Sequence, residues 1–307
     1  MTSAGTGRPV VVGVDGSAGA LAAVRWAGRY VADTGAALRL LSAASASGTA
    51  SVILPVPVGV SNAGPPRRKR SREEALAAAA AEASRYAPQR DVSTRAASET
   101  AVPALLDASS EAGLLVLGTS DRGRMAATLL GSVTARVVAE AHCPVVLVRG
   151  DAGRSGSVVV AVDTSDSCGP ALRFAFQVAA HRRCALFAVH AWQPPLMAAG
   201  AGSLAAAAAA TRLVGDGLPA AARRSLAEAV APWREAFPDV AVHERLLEGH
   251  PETAVAEQTH GAALVVVGSR GRAALTGLVL GSTSQALLDR ADCPVAVVRQ
   301  SEDVPAA

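Results

Sequence analysis

Residues 118–150 and 268–300 of this chain are two versions of one segment. The first reads GTSDRGRMAATLLGSVTARVVAEAHCPVVLVRG and the second GSRGRAALTGLVLGSTSQALLDRADCPVAVVRQ, with 11 of 33 positions identical at a constant offset of 150. A second echo, at an offset of 148, sets Val11-Val12-Gly13-Val14-Asp15-Gly16-Ser17 against Val159-Val160-Ala161-Val162-Asp163-Thr164-Ser165. Self-similarity at this period divides the 307 residues into two like domains, 1–150 and 151–307. Units of about 150 residues are large enough for separate cores. The stretch between them, Gly150-Asp151-Ala152-Gly153-Arg154-Ser155-Gly156, has the composition of a short flexible linker.

Within each repeat, short Val/Leu runs alternate with alanine-rich helical stretches. The first repeat reads as strand Val10–Val14, helix Ser17–Thr34, strand Ala37–Leu41, helix Ser71–Tyr86 and strand Asp91–Ala96. Helix Pro103–Glu111, strand Leu114–Leu117, helix Ser132–Ala141 and strand Val145–Val148 complete it. The second repeat follows the same order from Val158 to Val298. Near-continuous apolar strands imply a sheet covered on both faces. Strand–helix alternation implies a parallel, right-handed, doubly wound α/β fold with five strands per repeat. The stretches Ser42–Pro66 and Gln193–Pro219 do not match each other and read as variable surface loops, the alanine run 205–210 as a helix.

Bulk properties exclude several classes. No apolar run approaches the roughly 20 residues of a membrane span, and Met1–Pro9 lacks the apolar centre of a signal peptide. Cys143, Cys168, Cys184 and Cys293 show no CxxC spacing, so reduced thiols in a cytoplasmic protein are expected. A net charge of +3 gives no reason to expect nucleic acid. The dense basic run Arg67-Arg68-Lys69-Arg70-Ser71-Arg72 reads as a solvated loop entering a helix. Lys69 is the one lysine and lies in no GK[ST] loop, so phosphate, if handled, is handled by amides, hydroxyls and arginine.

The chemistry-bearing pattern is G-x2-G-x9-G-S, carried by Gly268, Gly271, Gly281 and Ser282 between a strand and a helix. Gly268 lets the chain turn as the strand stops, and Gly271 lets amides approach an anion. Gly281 precedes a helix whose free N–H groups and dipole favour negative charge. Ser282 caps that helix or donates to a phosphate oxygen. The loop lies at the carboxyl end of a central strand, where open α/β sheets bind ligands. Asp15 and Asp163 end the first strand of each repeat and are suited to accept from ribose hydroxyls or an adenine amine. Gly13-x-x-Gly16-x-x-Gly19 resembles a dinucleotide fingerprint only loosely: its spacing is not GxGxxG, and the second repeat has Ala161, Thr164 and Ser167 at those places. No catalytic constellation stands out, and His250 and His260 read as helix-end residues.

These residues together resemble the universal stress protein family in its tandem form, over nearly the whole chain. The resemblance implies two Rossmann-like five-stranded parallel sheets of order 3-2-1-4-5, with ATP or a related adenine nucleotide in the crevice. It implies a stress or dormancy regulator rather than a dedicated enzyme. In the second half the nucleotide would lie against Ala161, Val162, Asp163, Val189, Val267, Gly268, Gly271, Gly281, Ser282, Thr283 and Ser284. The first-half counterparts are Gly13, Val14, Asp15, Gly118, Asp121, Gly131, Ser132, Val133 and Thr134. Asp121 departs from the pattern, standing where the second half has Gly271. It either repels a polyphosphate or holds a bridging Mg²⁺. A slow ATPase and a nucleotide-independent interaction module are the competing readings. The resemblance also implies pairing through the last strands. Val145–Val148 and Val295–Val298 are each expected at a sheet edge, and two similar apolar edges on one chain are placed to meet as an intrachain pseudo-dimer. Association of whole chains into a homodimer remains open, because the same edges cannot be used twice.

Overall fold

The computed structural model describes residues 7–44, 71–119, 131–150, 155–193, 217–269 and 280–299. The first half runs β1 (Val10–Gly13), α1 (Ala18–Thr34), β2 (Leu38–Ala44), α2 (Arg72–Tyr86), β3 (Val92–Thr100), α3 (Ala101–Glu111), β4 (Leu114–Gly118), α4 (Ser132–Glu140) and β5 (Val145–Val148). The second runs β6 (Val158–Ala161), α5 (Gly169–Arg182), β7 (Leu186–Trp192), α6 (Gly217–Ala236), β8 (Val242–Glu248), α7 (Pro251–Glu257), β9 (Leu264–Gly268), α8 (Ser282–Arg290) and β10 (Val295–Val298). A short 3₁₀ turn, Asp166–Cys168, precedes α5. The alanine run and residues 67–70 of the basic run lie outside the described residues.

The ten strands form a single sheet of order β3-β2-β1-β4-β5-β10-β9-β6-β7-β8. Each half contributes the expected 3-2-1-4-5 parallel sheet, and the halves join where β5 and β10 run antiparallel, Val295 opposite Leu147, Ala296 opposite Val146 and Val297 opposite Val145. The strand period of two explains why both faces are dry. Val10, Val12, Leu114, Val116, Val146, Val148, Ala296 and Val298 point into one core; Val11, Leu115, Leu117, Val145, Leu147, Val295 and Val297 point into the other. Each such Val or Leu is worth about 1.5–3 kcal/mol on burial. The first core crosses the seam without a break, because α1 and α5 lie on the same face. There the Arg182 guanidinium of α5 sits 5.3 Å from the centre of the buried Trp26 ring of α1.

Local signals set the helix starts. Ser17 accepts from the Ala20 N–H and caps α1. Ser71 and Glu74 form a reciprocal capping box at α2, so the basic run ends at a helix boundary. The three glycines of the near-fingerprint each have their own reason. A Cβ on Gly13 would stand 2.7 Å from a Leu117 methyl and one on Gly19 2.5 Å from the Thr119 carbonyl, while Gly16 has φ 79. They serve turn and packing.

Candidate functional site

In each half the strand order reverses direction between the first and fourth strands, β1 and β4 or β6 and β9. Chains leave these neighbours toward opposite faces, which opens a crevice at their carboxyl ends. In the second half the crevice begins where β6 ends. Val162 donates its N–H to the Val189 carbonyl, 2.9 Å, so the backbone at Val189 is engaged in the sheet. Val162 in turn accepts from Nδ1 of the buried His190, 2.7 Å. That bond leaves His190 a fixed wall residue and assigns the proton to Nδ1. Sequence spacing gave His190 no role, since the first half has the buried Ser42 in its place.

Asp163 follows. Its Oδ1 accepts from the Ser165 N–H, 3.0 Å, and from the Ser165 hydroxyl, 2.6 Å. Its Oδ2 is shielded from solvent and has no hydrogen-bond partner among the described residues. An unsatisfied buried acceptor of this kind costs about 1–3 kcal/mol, more when charged. The next residue, Thr164, has φ 55, a left-handed conformation that a β-branched side chain adopts at a cost of roughly 1–2 kcal/mol. Gly16 holds the same place in the first half without that cost. There Asp15 accepts from the Ser17 N–H at 2.9 Å and is exposed.

The other wall is the start of α8. Gly281 occupies the N-cap position, with φ −61 and ψ 153, and among the described residues no side chain caps the helix. Ser282 is therefore the first helical residue and does not cap it, contrary to one of the two roles its sequence position offered. The Gly281 N–H is taken by the Ser269 carbonyl, 3.0 Å, and the intrahelical ladder begins at Gln285. The amides of Ser282, Thr283 and Ser284 are left at the helix mouth, where their dipoles favour an anion. Ser282 is exposed. The Ser284 hydroxyl is buried and donates to the Gly268 carbonyl at 2.6 Å, so that side chain braces the site rather than facing a ligand. The same bond places the first turn of α8 at the carboxyl end of β9, beside β6 and hence beside Asp163. Val267 is buried behind it. Gly271 lies outside the described residues.

The first half repeats the frame with Gly131 at the N-cap of α4, again without a side-chain cap among the described residues. Gly131, Ser132 and Val133 are exposed and Thr134 half-buried; Val14 is buried behind Asp15. Asp121 lies outside the described residues. Gly118 has a packing reason: a Cβ there would stand 2.0 Å from the Gly19 carbonyl oxygen, so α1 approaches β4 only because neither residue has a side chain. Among the described residues no group of three or more His, Cys, Asp or Glu is placed to hold a metal. His260 pairs with Asp292 at 3.0 Å, and His250 with Gln193 at 2.7 Å. No helix among the described residues is long and apolar enough to cross a membrane.

Comparison with known proteins agrees with this architecture. The model of the universal stress protein family matches twice, over residues 7–149 and 155–299. A universal stress protein of Mycobacterium tuberculosis is 31% identical over 306 residues, covering 98% of this chain and 99% of the relative. One from Mycolicibacterium smegmatis is 32% identical over 321 residues, with 97% and 99% covered. Among solved structures, a putative universal stress protein from Pseudomonas aeruginosa superposes with a TM-score of 0.65 at 17% identity, over 97% of this chain and 95% of its own. One from Archaeoglobus fulgidus gives 0.60 at 17%, over 96% and 99%. The chain belongs to the universal stress protein family, with two of the family's units in tandem.

Proposed function

We propose that this protein binds an adenine nucleotide, ATP foremost, in the crevice of its second half, and that it acts as a stress regulator rather than as a dedicated enzyme. The observation that carries the reading is Asp163. One carboxylate oxygen is anchored by Ser165, and the other is buried with no hydrogen-bond partner among the described residues. A ribose hydroxyl or an adenine amine supplies the missing donor. The strained Thr164 beside it fits a site held in place by its surroundings. Beside these stand the open amides of Ser282, Thr283 and Ser284, suited to phosphate oxygens. Base or sugar at Asp163 and phosphates at α8 then share one crevice. No step of hydrolysis is assigned: amides that hold a phosphate do not by themselves activate water.

The first half offers the same helix mouth without the buried orphan acceptor, and Asp121 in place of Gly271 adds a negative charge to its loop. It binds more weakly in this reading, or with Mg²⁺. The domain division 1–150 and 151–307 and the cytoplasm as the site of action belong to the same proposal. Calorimetry with ATP tests it. Gly281→Glu is tolerated by a backbone at φ −61 but sets a carboxylate before the three amides. Loss of heat on that substitution, and on Asp163→Ala, is the expected result. Unchanged affinity in both variants would discard the site.

A further inference from the structure

Each half reaches across the seam with one arginine and grips the other half's helix. Arg149, just beyond β5, donates from Nη1 to the Asp289 carbonyl at 3.0 Å and from Nη2 to the Leu288 carbonyl. Both carbonyls belong to the last turn of α8 in the second half. Arg299, just beyond β10, donates from Nη1 to the Ala139 carbonyl at 2.6 Å and to the Ala141 carbonyl at 3.4 Å, at the end of α4 in the first half. The two arginines are equivalent in the repeat, at an offset of 150. The antiparallel pairing of β5 with β10 is what carries each of them to the other half's helix end.

The gripped helices are the two whose opposite ends form the proposed phosphate mouths. Each has nine residues and so spans about 13 Å. Helices this short do not hold themselves together in water. Each has glycine, which has no side chain to cap with, at its N-cap. Their pose rests on tertiary anchors. For α8 these are the buried Leu287 and Leu288, the Ser284 bond to Gly268, and Arg149. A guanidinium at the last carbonyls satisfies acceptors the helix leaves open and complements the negative end of its dipole.

We infer that Arg149 and Arg299 are positioning residues in trans: each sets the nucleotide affinity of the half it does not belong to, and the two clasps couple the sites. The inference rests on the nucleotide reading above and adds to it a path between the sites. A ligand that draws α8 toward the crevice pulls on Arg149, whose strand β5 lies against β10, from which Arg299 holds α4. Coupling between binding sites is reciprocal, so filling either site alters the other by the same factor.

The test uses the full chain, with hydrogen exchange read by mass spectrometry during an ATP titration. Protection of peptides across α8 and across α4 reports the two sites separately. Arg149→Ala is expected to weaken ATP at the α8 site by about fivefold or more, the low end of usual coupling, while the α4 site changes less. Arg299→Ala gives the mirror result. Arg149→Lys keeps the charge and one donor direction and recovers part of the loss. A general loosening of the seam lowers both sites together; that outcome, loss confined to the mutated half, or no loss, overturns the proposal. Without ATP, the last turn of α8 exchanges faster in Arg149→Ala, and unchanged exchange also overturns it. Faster exchange in a chain that takes no ATP would instead reject the nucleotide reading, and the coupling with it, while leaving the clasp as a structural brace.

Discussion

Arg183 ends α5 with φ 50 and ψ 47, the left-handed cap that Gly35 supplies at the end of α1. Glycine reaches this conformation freely, whereas another residue gives up roughly 1–2 kcal/mol. Arg183 is exposed, so its side chain offers little in return. After the entropy that glycine restores to the unfolded chain, Arg183→Gly is expected to raise stability by about 0.5–1 kcal/mol, seen as a higher urea midpoint. Cys143 shows the opposite relation of residue to surroundings. Burial pushes its thiol up to about 12, with small opposing help from the Leu115 backbone and Arg8. The folded value exceeds the unfolded one, so the stabilising contribution is complete below the ordinary thiol value of 9.0 and drains away as pH rises toward 12. Native protein at pH 8 should leave Cys143 unmodified by a thiol reagent that labels it in urea; rapid native labelling would contradict this burial.

At the scale of elements, the contact that decides the architecture of the first crevice is a helix laid directly on a strand. The first turn of α1 meets the end of β4 through Gly19 and Gly118, backbone against backbone. No flexible side chain stands there to give way. Gly118→Ala is therefore expected to cost about 3 kcal/mol, at the upper end for overpacking, and to displace α1 or β4 at the mouth of the first crevice. Thermal unfolding checks the loss, and a midpoint within a degree of the parent would show that the two elements separate freely. The Gly-Ser pair opening α4 and α8 works differently. Its glycine is the N-cap without a side chain, and its serine is the first helical residue, so the pair leaves amides open where a Ser cap would close one.

At the scale of the whole molecule, one ten-stranded sheet means that neither half presents its last strand to solvent. Val146 and Val297 lie at the seam on opposite faces and are buried, 0% and 1% exposed. Replacing both with lysine puts unpaired charge into each core, at a cost of several kcal/mol. The double variant is expected to unfold in two denaturant transitions, one per half, where the parent unfolds in one. A single transition at the parent's midpoint would mean that the seam contributes nothing to cooperativity. The outer edges carry charge, Arg95 and Glu99 on β3 and Glu244, Arg245 and Glu248 on β8, which discourages pairing with another chain.

How much was legible beforehand follows from the range of each interaction. Strand and helix order, the 3-2-1-4-5 arrangement implied by family likeness, and the helix starts at Ser17 and Ser71 were all readable, because alternation, period and capping act within a few residues. The candidate site was readable in outline: Asp163, Gly268, Gly281 and Ser282 stand out because two copies keep them in step. The remainder was not written in local pattern. The Ser284 side chain looks free to face a ligand until its hydroxyl is found on Gly268, 16 residues away, which leaves only the amide for that task. Gly118 reads in sequence as a counterpart of the nucleotide-site Gly268, and its packing against α1 shows only in the fold. Nothing local marks Arg149 and Arg299, since their partners lie 139 to 160 residues off along the chain. The sequence by itself determined the elements, their order and the repeat, through forces that decay within a turn or a strand. Only the tertiary structure decided which half holds which helix, because that depends on the antiparallel meeting of β5 and β10, and chain spacing carries no record of distance across a fold.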